Sequence, residues 1–192
     1  ISLCNGCHGG NYQGMDFINE APIGYAPAPH LTSAGPVANY TDNDWLKAIR
    51  HGIAKDRRVM VAMPSYHYSA YGDDDLAELI AYLKQIPAVE DKFRKRDIQF
   101  PGSIIFGILA HDSWPANQIP HDKIGGEMAP TIDESVNYGE YLSRITGCYE
   151  CHGENLIGKD PDSQGSPGPN ITRNGNPGNW KFADFMKVMR TG

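Results

Sequence analysis

Two stretches of this chain have the residue types and spacing for one particular covalent chemistry. Cys4-Asn5-Gly6-Cys7-His8 recurs as Cys148-Tyr149-Glu150-Cys151-His152, and the two copies use all four cysteines of the 192-residue chain. Two thiols three positions apart can each add to one vinyl group of the same porphyrin. The histidine that follows is then held beneath the metal, so C-x-x-C-H is the attachment pattern of c-type haem. At this composition a chance match is expected in about a few chains per thousand, and two matches with no cysteine left over exclude coincidence. Paired C-x-x-C motifs also hold zinc. That reading leaves the histidine after each pair unexplained, and the two pairs stand farther apart than the ligands of one zinc module. The expected cofactors are two covalently attached haems c (iron), on Cys4 and Cys7 and on Cys148 and Cys151, with His8 and His152 as proximal iron ligands.

An electron-carrying iron of this kind takes a sixth ligand from the opposite face, commonly methionine. The candidates for the first site are Met60 and Met63, in Val59-Met60-Val61-Ala62-Met63-Pro64. Met63 is preferred, because the proline after it removes a backbone donor and holds the preceding residue extended. His67 is a rival that would give a bis-histidine iron; its plainer reading is a polar surface residue among tyrosines. The second site offers Met186 and Met189, which fall on a predicted helix where core packing is the expected role, and His111 and His121 farther back. Its sixth ligand stays open.

The elements that position these residues repeat along the chain. Cys4 to Gly14 matches Cys148 to Gly158, Pro29-His30-Leu31-Thr32 matches Pro169-Asn170-Ile171-Thr172, and Tyr40 to Gly52 matches Trp180 to Gly192. Self-similarity over this length means two copies of one unit. The second copy is four residues shorter between its first two blocks, a difference expected in a surface loop. In the first copy, Thr41 or Asp42 can cap a helix carrying Trp45, Leu46 and Ile49, with Gly52 as its stop. Asp73-Asp74-Asp75 opens another with Leu76, Leu79, Ile80 and Leu83 on one face, ended by Pro87. The three acids suit the positive end of the helix dipole and are read as structural, not as a metal site. Residues 135–147 read as a helix leading into the second motif, with Tyr138, Tyr141, Leu142 and Ile145 at helical spacing. No stretch alternates long enough to demand a strand. Residues 91–134 belong to neither copy: a basic run, Lys92-Phe93-Arg94-Lys95-Arg96, precedes an apolar segment with one helix expected near 102–110. This segment is expected to pack between the two copies.

Composition sets the class. Hydrophobic residues make up 40% of the chain, which is globular, and 21 glycines with 14 prolines imply long ordered loops. A net charge of −6 argues against nucleic acid as a partner. The longest apolar run, Ile104 to Ala110, is too short to span a bilayer, so no membrane span is expected. No leader precedes the first motif, and covalent haem attachment takes place outside the bacterial cytoplasm. A processed, exported, periplasmic protein is therefore expected.

Taken together, these residues resemble the class I cytochrome c family in its diheme form. They look most like the multihaem cytochrome subunits that accept electrons from bacterial periplasmic alcohol and aldehyde dehydrogenases. The likeness rests on both C-x-x-C-H-G sites, the Pro-[His/Asn]-[Leu/Ile]-Thr segments, Ala62-Met63-Pro64, Leu79-Ile80-Ala81-Tyr82-Leu83 and Gly139-Glu140-Tyr141-Leu142. It implies a mainly α fold of two tandem class I cytochrome c domains, at 1–90 and 135–192, joined by a connector at 91–134. Nothing after Arg190 corresponds to Val59–Leu83, so the second domain is expected to be incomplete and the physiological chain to continue. The resemblance places the backbone carbonyls of Pro29 and Pro169 as acceptors for the ring N–H groups of His8 and His152. It implies single-electron transfer between redox partners, a dehydrogenase or a respiratory or photosynthetic complex. The alternative is a diheme enzyme, such as a peroxidase or a thiosulfate-oxidising cytochrome, with one iron open at its sixth position. Both haems should stay with the polypeptide through acid–acetone extraction; release of either would refute covalent attachment at its motif.

Overall fold

The computed structural model describes residues 2–91, 95–133, 135–160 and 167–191. The first three residues of the basic run, Lys92–Arg94, lie outside them. The chain divides into two units, Ile1–Thr131 and Ile132–Gly192, and is mainly helical with one small sheet.

In the first unit, α1 (Ser2–His8) carries the first motif. A hairpin of β1 (Met15–Glu20) and β2 (Gly24–Ala28) follows, antiparallel, with a register irregularity between Asp16 and Ile18. Neither strand alternates cleanly, and prolines at 22 and 27 break the strand signal. The sequence reading therefore missed the hairpin. Its pairing is reinforced from outside: Tyr25 and Asp97 exchange backbone hydrogen bonds of 2.7 and 2.8 Å, and the Tyr25 hydroxyl donates to Asp16 at 2.6 Å.

The helical core forms where the apolar spacing placed it. In α2 (Asp42–His51), Thr41 is the N-cap in a reciprocal capping box with Asp44, and Gly52 ends the helix in the left-handed conformation, φ 66°. A short α3 (Ser65–Tyr68) follows Met63-Pro64, and α4 (Asp73–Lys84) opens on its three aspartates. Trp45 and Ile49 of α2 pack with Leu76, Ile80 and Leu83 of α4 in a core that also buries Tyr12, Leu31, Val37 and Tyr68. Leu76 is 1% exposed.

Residues 95–131 fold onto this unit. After α5 (Gly102–Ile104) the helix widens to a π turn at Ile105–Leu109. Farther on, Asp73 ties the buried Arg50 (2.6 Å) to the Gly126 amide (2.8 Å), and Asp74 accepts from the Ala129 amide at 2.8 Å. Two of the three aspartates thus hold this segment as well as starting α4.

In the second unit, Ser135 caps α6 (Val136–Ile145), whose Tyr141 and Ile145 are buried. α7 (Cys148–His152) carries the second motif, and α8 (Phe182–Thr191) is the sequence counterpart of α2. The counterparts differ in cover. Where α2 buries Trp45, Ala48 and Ile49, α8 leaves Phe185 45% and Met189 64% exposed.

A histidine pair fastens residues 115–121 to the end of α2. His121 Nε2 lies 2.9 Å from the Ala116 carbonyl, which can only accept, so His121 carries its proton there. Its Nδ1 is left to accept from His51 Nδ1 at 2.8 Å. Burial pushes the His51 pKa down, with smaller contributions from His121, Arg50 and Lys47. A histidine depressed in the folded state binds fewer protons folded than unfolded, so stability falls as pH falls. The thermal midpoint should decline below about pH 6.5 and through the lowered folded value, and His51→Gln should flatten that slope; an unchanged slope would place its source elsewhere.

Candidate functional site

α1 places Cys4, Cys7 and His8 at helical positions i, i+3 and i+4, which share one side of the helix. The chain then reverses within six residues. The Tyr12 amide donates to the Gly9 carbonyl at 2.8 Å, and the Gly14 amide to the His8 carbonyl at 2.7 Å. Gly14 has φ +80°, and a Cβ there would lie 2.8 Å from the Ala28 carbonyl oxygen and 3.0 Å from the His30 nitrogen. Only glycine lets the returning strand come this close. The Leu31 amide then donates to the Tyr12 carbonyl at 2.8 Å, and the Pro29 carbonyl reaches His8 Nδ1 at 2.8 Å.

That contact fixes the chemistry of the ring. A carbonyl accepts only, so Nδ1 holds the proton and Nε2 presents its lone pair. Burial lowers the His8 pKa, partly offset by the Pro29 bond, which favours the neutral imidazole that metals bind. Burial also pushes the Cys4 thiol up. Tyr68 and Tyr71 are raised chiefly by burial, with Cys4 a further cause for both, so the two phenols share the thiol's surroundings.

The second motif repeats this construction bond for bond. The Leu156 amide donates to the Gly153 carbonyl, the Gly158 amide to His152 and the Ile171 amide to Leu156, each at 2.9 Å. Gly158 has φ +99°, with a would-be Cβ 3.0 Å from the Gly168 carbonyl oxygen. His152 Nδ1 lies 2.7 Å from the Pro169 carbonyl. The next turn is shared too. His30 Nδ1 accepts the Thr32 amide at 3.2 Å, and Asn170 Oδ1 accepts the Thr172 amide at 2.9 Å. Sequence reasoning noticed that positions 30 and 170 differ but not that both side chains are acceptors for the same amide. The matching threonine two residues on was the available signal.

The candidate sixth ligands have different surroundings. Met63 packs against the core cluster, as does Cys4, and its carbonyl accepts the Ser65 amide at 2.8 Å. The Met60 amide is bonded to the Gly52 carbonyl at 2.8 Å. His67 sits on α3 with its ring against Tyr66, centroids 4.3 Å apart. His121 is engaged by His51, and His111 lies beside Asp112 at 3.2 Å. On α8, Met186 is half-buried and Met189 exposed.

Two thiols and one neutral imidazole on a single turn, with Cys4 packed against the hydrophobic core, are a donor set that fits haem c. Residues 2–83 match the protein family described as "Cytochrome C oxidase, cbb3-type, subunit III". Among curated proteins, the chain is 30% identical to an alcohol dehydrogenase (quinone) cytochrome c subunit of Gluconobacter oxydans (strain 621H), over 88% of this chain and 36% of the relative. It is 26% identical to a fructose dehydrogenase cytochrome subunit of Gluconobacter japonicus, over 98% of this chain and 42% of the relative. It is 28% identical to a gluconate 2-dehydrogenase cytochrome c subunit of Pantoea cypripedii, over 78% and 35%. The chain thus spans about two fifths or less of these relatives.

Gly14→Ala should destabilise the protein by about 1–3 kcal/mol, from the left-handed strain and the collision with residues 28–30. Chemical denaturation measures this; a variant as stable as the parent would mean that the reversal opens without cost.

Proposed function

We propose that this chain, with a cytochrome c domain at residues 2–83 as the premise, is the diheme part of an exported electron-transfer subunit. In this reading residues 1–90 and 135–192 are tandem cytochrome c domains and residues 91–134 connect them. Cys4 and Cys7 hold one haem c, and Cys148 and Cys151 hold another. The observation that carries the reading is the pair of matched brackets: His8 and His152 each have Nδ1 on a proline carbonyl, at 2.8 and 2.7 Å, directly after a complete C-x-x-C-H motif. The iron supplies a one-electron couple when bound.

The chain's own residues set how that couple behaves. The Pro29 and Pro169 carbonyls hold each imidazole in one tautomer and make it more basic. Met63, directly before Pro64, is the ligand on the other face of the first iron. The Trp45–Leu76–Ile80 core and Tyr68 keep water away from that site, which helps to set its potential. The donor is proposed to be a dehydrogenase in the periplasm, because the relatives are named as cytochrome subunits of an alcohol dehydrogenase (quinone), a fructose dehydrogenase and a gluconate 2-dehydrogenase. The packing of Met63 against the core that Cys4 also adjoins supports a carrier over an enzyme with an open iron.

Met63→Ala should lower the potential of one haem and open its iron to added ligands, because the thioether favours reduced iron. Spectroelectrochemical titration reads both effects. An unchanged spectrum and potential in this variant, with changes in Met60→Ala instead, would move the ligand to Met60. A high-spin signal from one haem of the parent protein would favour the enzyme reading.

A further inference from the structure

We propose that His30 is a positioning residue for His8, fastening the loop that bears the Pro29 carbonyl to the chain segment that leaves α4. The proposal rests on the reading of His8 as a haem ligand. His30 is 6% exposed. Its Nδ1 accepts the Thr32 amide at 3.2 Å, so its proton is on Nε2, which donates to the Val89 carbonyl at 2.8 Å. The Val89 amide returns a bond to Thr32 Oγ1 at 3.3 Å, and Thr32 is 0% exposed. Two rungs of opposite direction therefore join residues 30–32 to residue 89. Residue 89 lies five positions beyond Lys84, the last residue of α4, whose Leu76, Ile80 and Leu83 are in the core. The ring is also boxed in by backbone: a Cβ at Gly35 would lie 2.7 Å from its Nδ1.

The next residue back is Pro29. Rigidity passes from the core through Val89 and His30 to the one carbonyl that His8 Nδ1–H reaches. Position 170 gives the internal contrast. Asn170 Oδ1 accepts both the amide (2.9 Å) and the hydroxyl (2.8 Å) of Thr172, which reproduces the inner half of the arrangement. A carboxamide is too short to copy the reach of an imidazole Nε2. His30 is thus an inner acceptor that asparagine can replace and an outer donor that it cannot. A well-held Pro29 carbonyl makes His8 more basic and favours the oxidised iron. A loosened one shifts the couple towards reduced.

The test is His30→Asn in the full, haem-loaded protein, followed by redox titration. The first haem is identified as the one whose potential moves in Met63→Ala. The expected result is a ratio of reduced to oxidised first haem raised about threefold or more at fixed solution potential, with the second haem unmoved and both haems still covalent. Unmoved potentials at both haems would overturn the proposal, since a filler residue would change stability only. If His30→Asn does not fold, 15N NMR of the reduced parent decides it. The Nε2–H tautomer with a slowly exchanging proton supports the tether; the Nδ1–H tautomer or fast exchange overturns it. A parent protein without covalent haem at Cys4 and Cys7 would instead refute the underlying assignment of the site.

Discussion

Everything around the first motif serves one hydrogen bond, from His8 Nδ1 to the Pro29 carbonyl. Without it the imidazole could rotate or exchange tautomers, and the lone pair on Nε2 would have no fixed direction. The reversal after α1, the glycine at its far end and the backbone bond between Leu31 and Tyr12 all act to deliver that carbonyl to that ring. The capped helices α2 and α4 provide the mass against which the delivery is made. A proline is well suited to the position: it has no N–H of its own to compete, and its φ is already set.

The two C-x-x-C-H motifs stand out in the sequence because their spacing lies within five consecutive residues. The helices were legible for a similar reason. Thr41, Gly52, Asp73 and the Leu76–Leu83 face are local signals, and each ended up in the role its neighbours implied. The proline carbonyls were available only through family resemblance, since every residue has a carbonyl and nothing in a side chain marks which one will be used.

What stayed illegible is non-local or negative. The bond from His30 to Val89 joins residues 59 positions apart and leaves no periodic trace. The hairpin at 15–28 has a proline in β2 and draws part of its support from Asp97, far along the chain. Asp73 and Asp74, aspartates already assigned to the start of α4, also accept backbone amides from the segment after residue 91. One residue with two structural duties shows only the nearer one in sequence. The two copies make the same point through α2 and α8: similar apolar spacing is buried in one and half-exposed in the other, because burial depends on what is packed alongside.

The bracket around each histidine is closed at its base. In the first copy the close approach of Gly14 to residues 28–30 seals it; in the second the Lys159 amide meets the Gly168 carbonyl at 3.1 Å. In the first copy the chain between these closing contacts is the β1–β2 hairpin, which lies outside the ring they complete. In sequence, the corresponding stretch of the second copy is four residues shorter. The first bracket is therefore a socket with an interchangeable outer arm. Evolution can lengthen or recode that arm, and an engineer can graft a recognition peptide or a surface-tethering tag onto it. Neither edit alters the wiring that aims the imidazole.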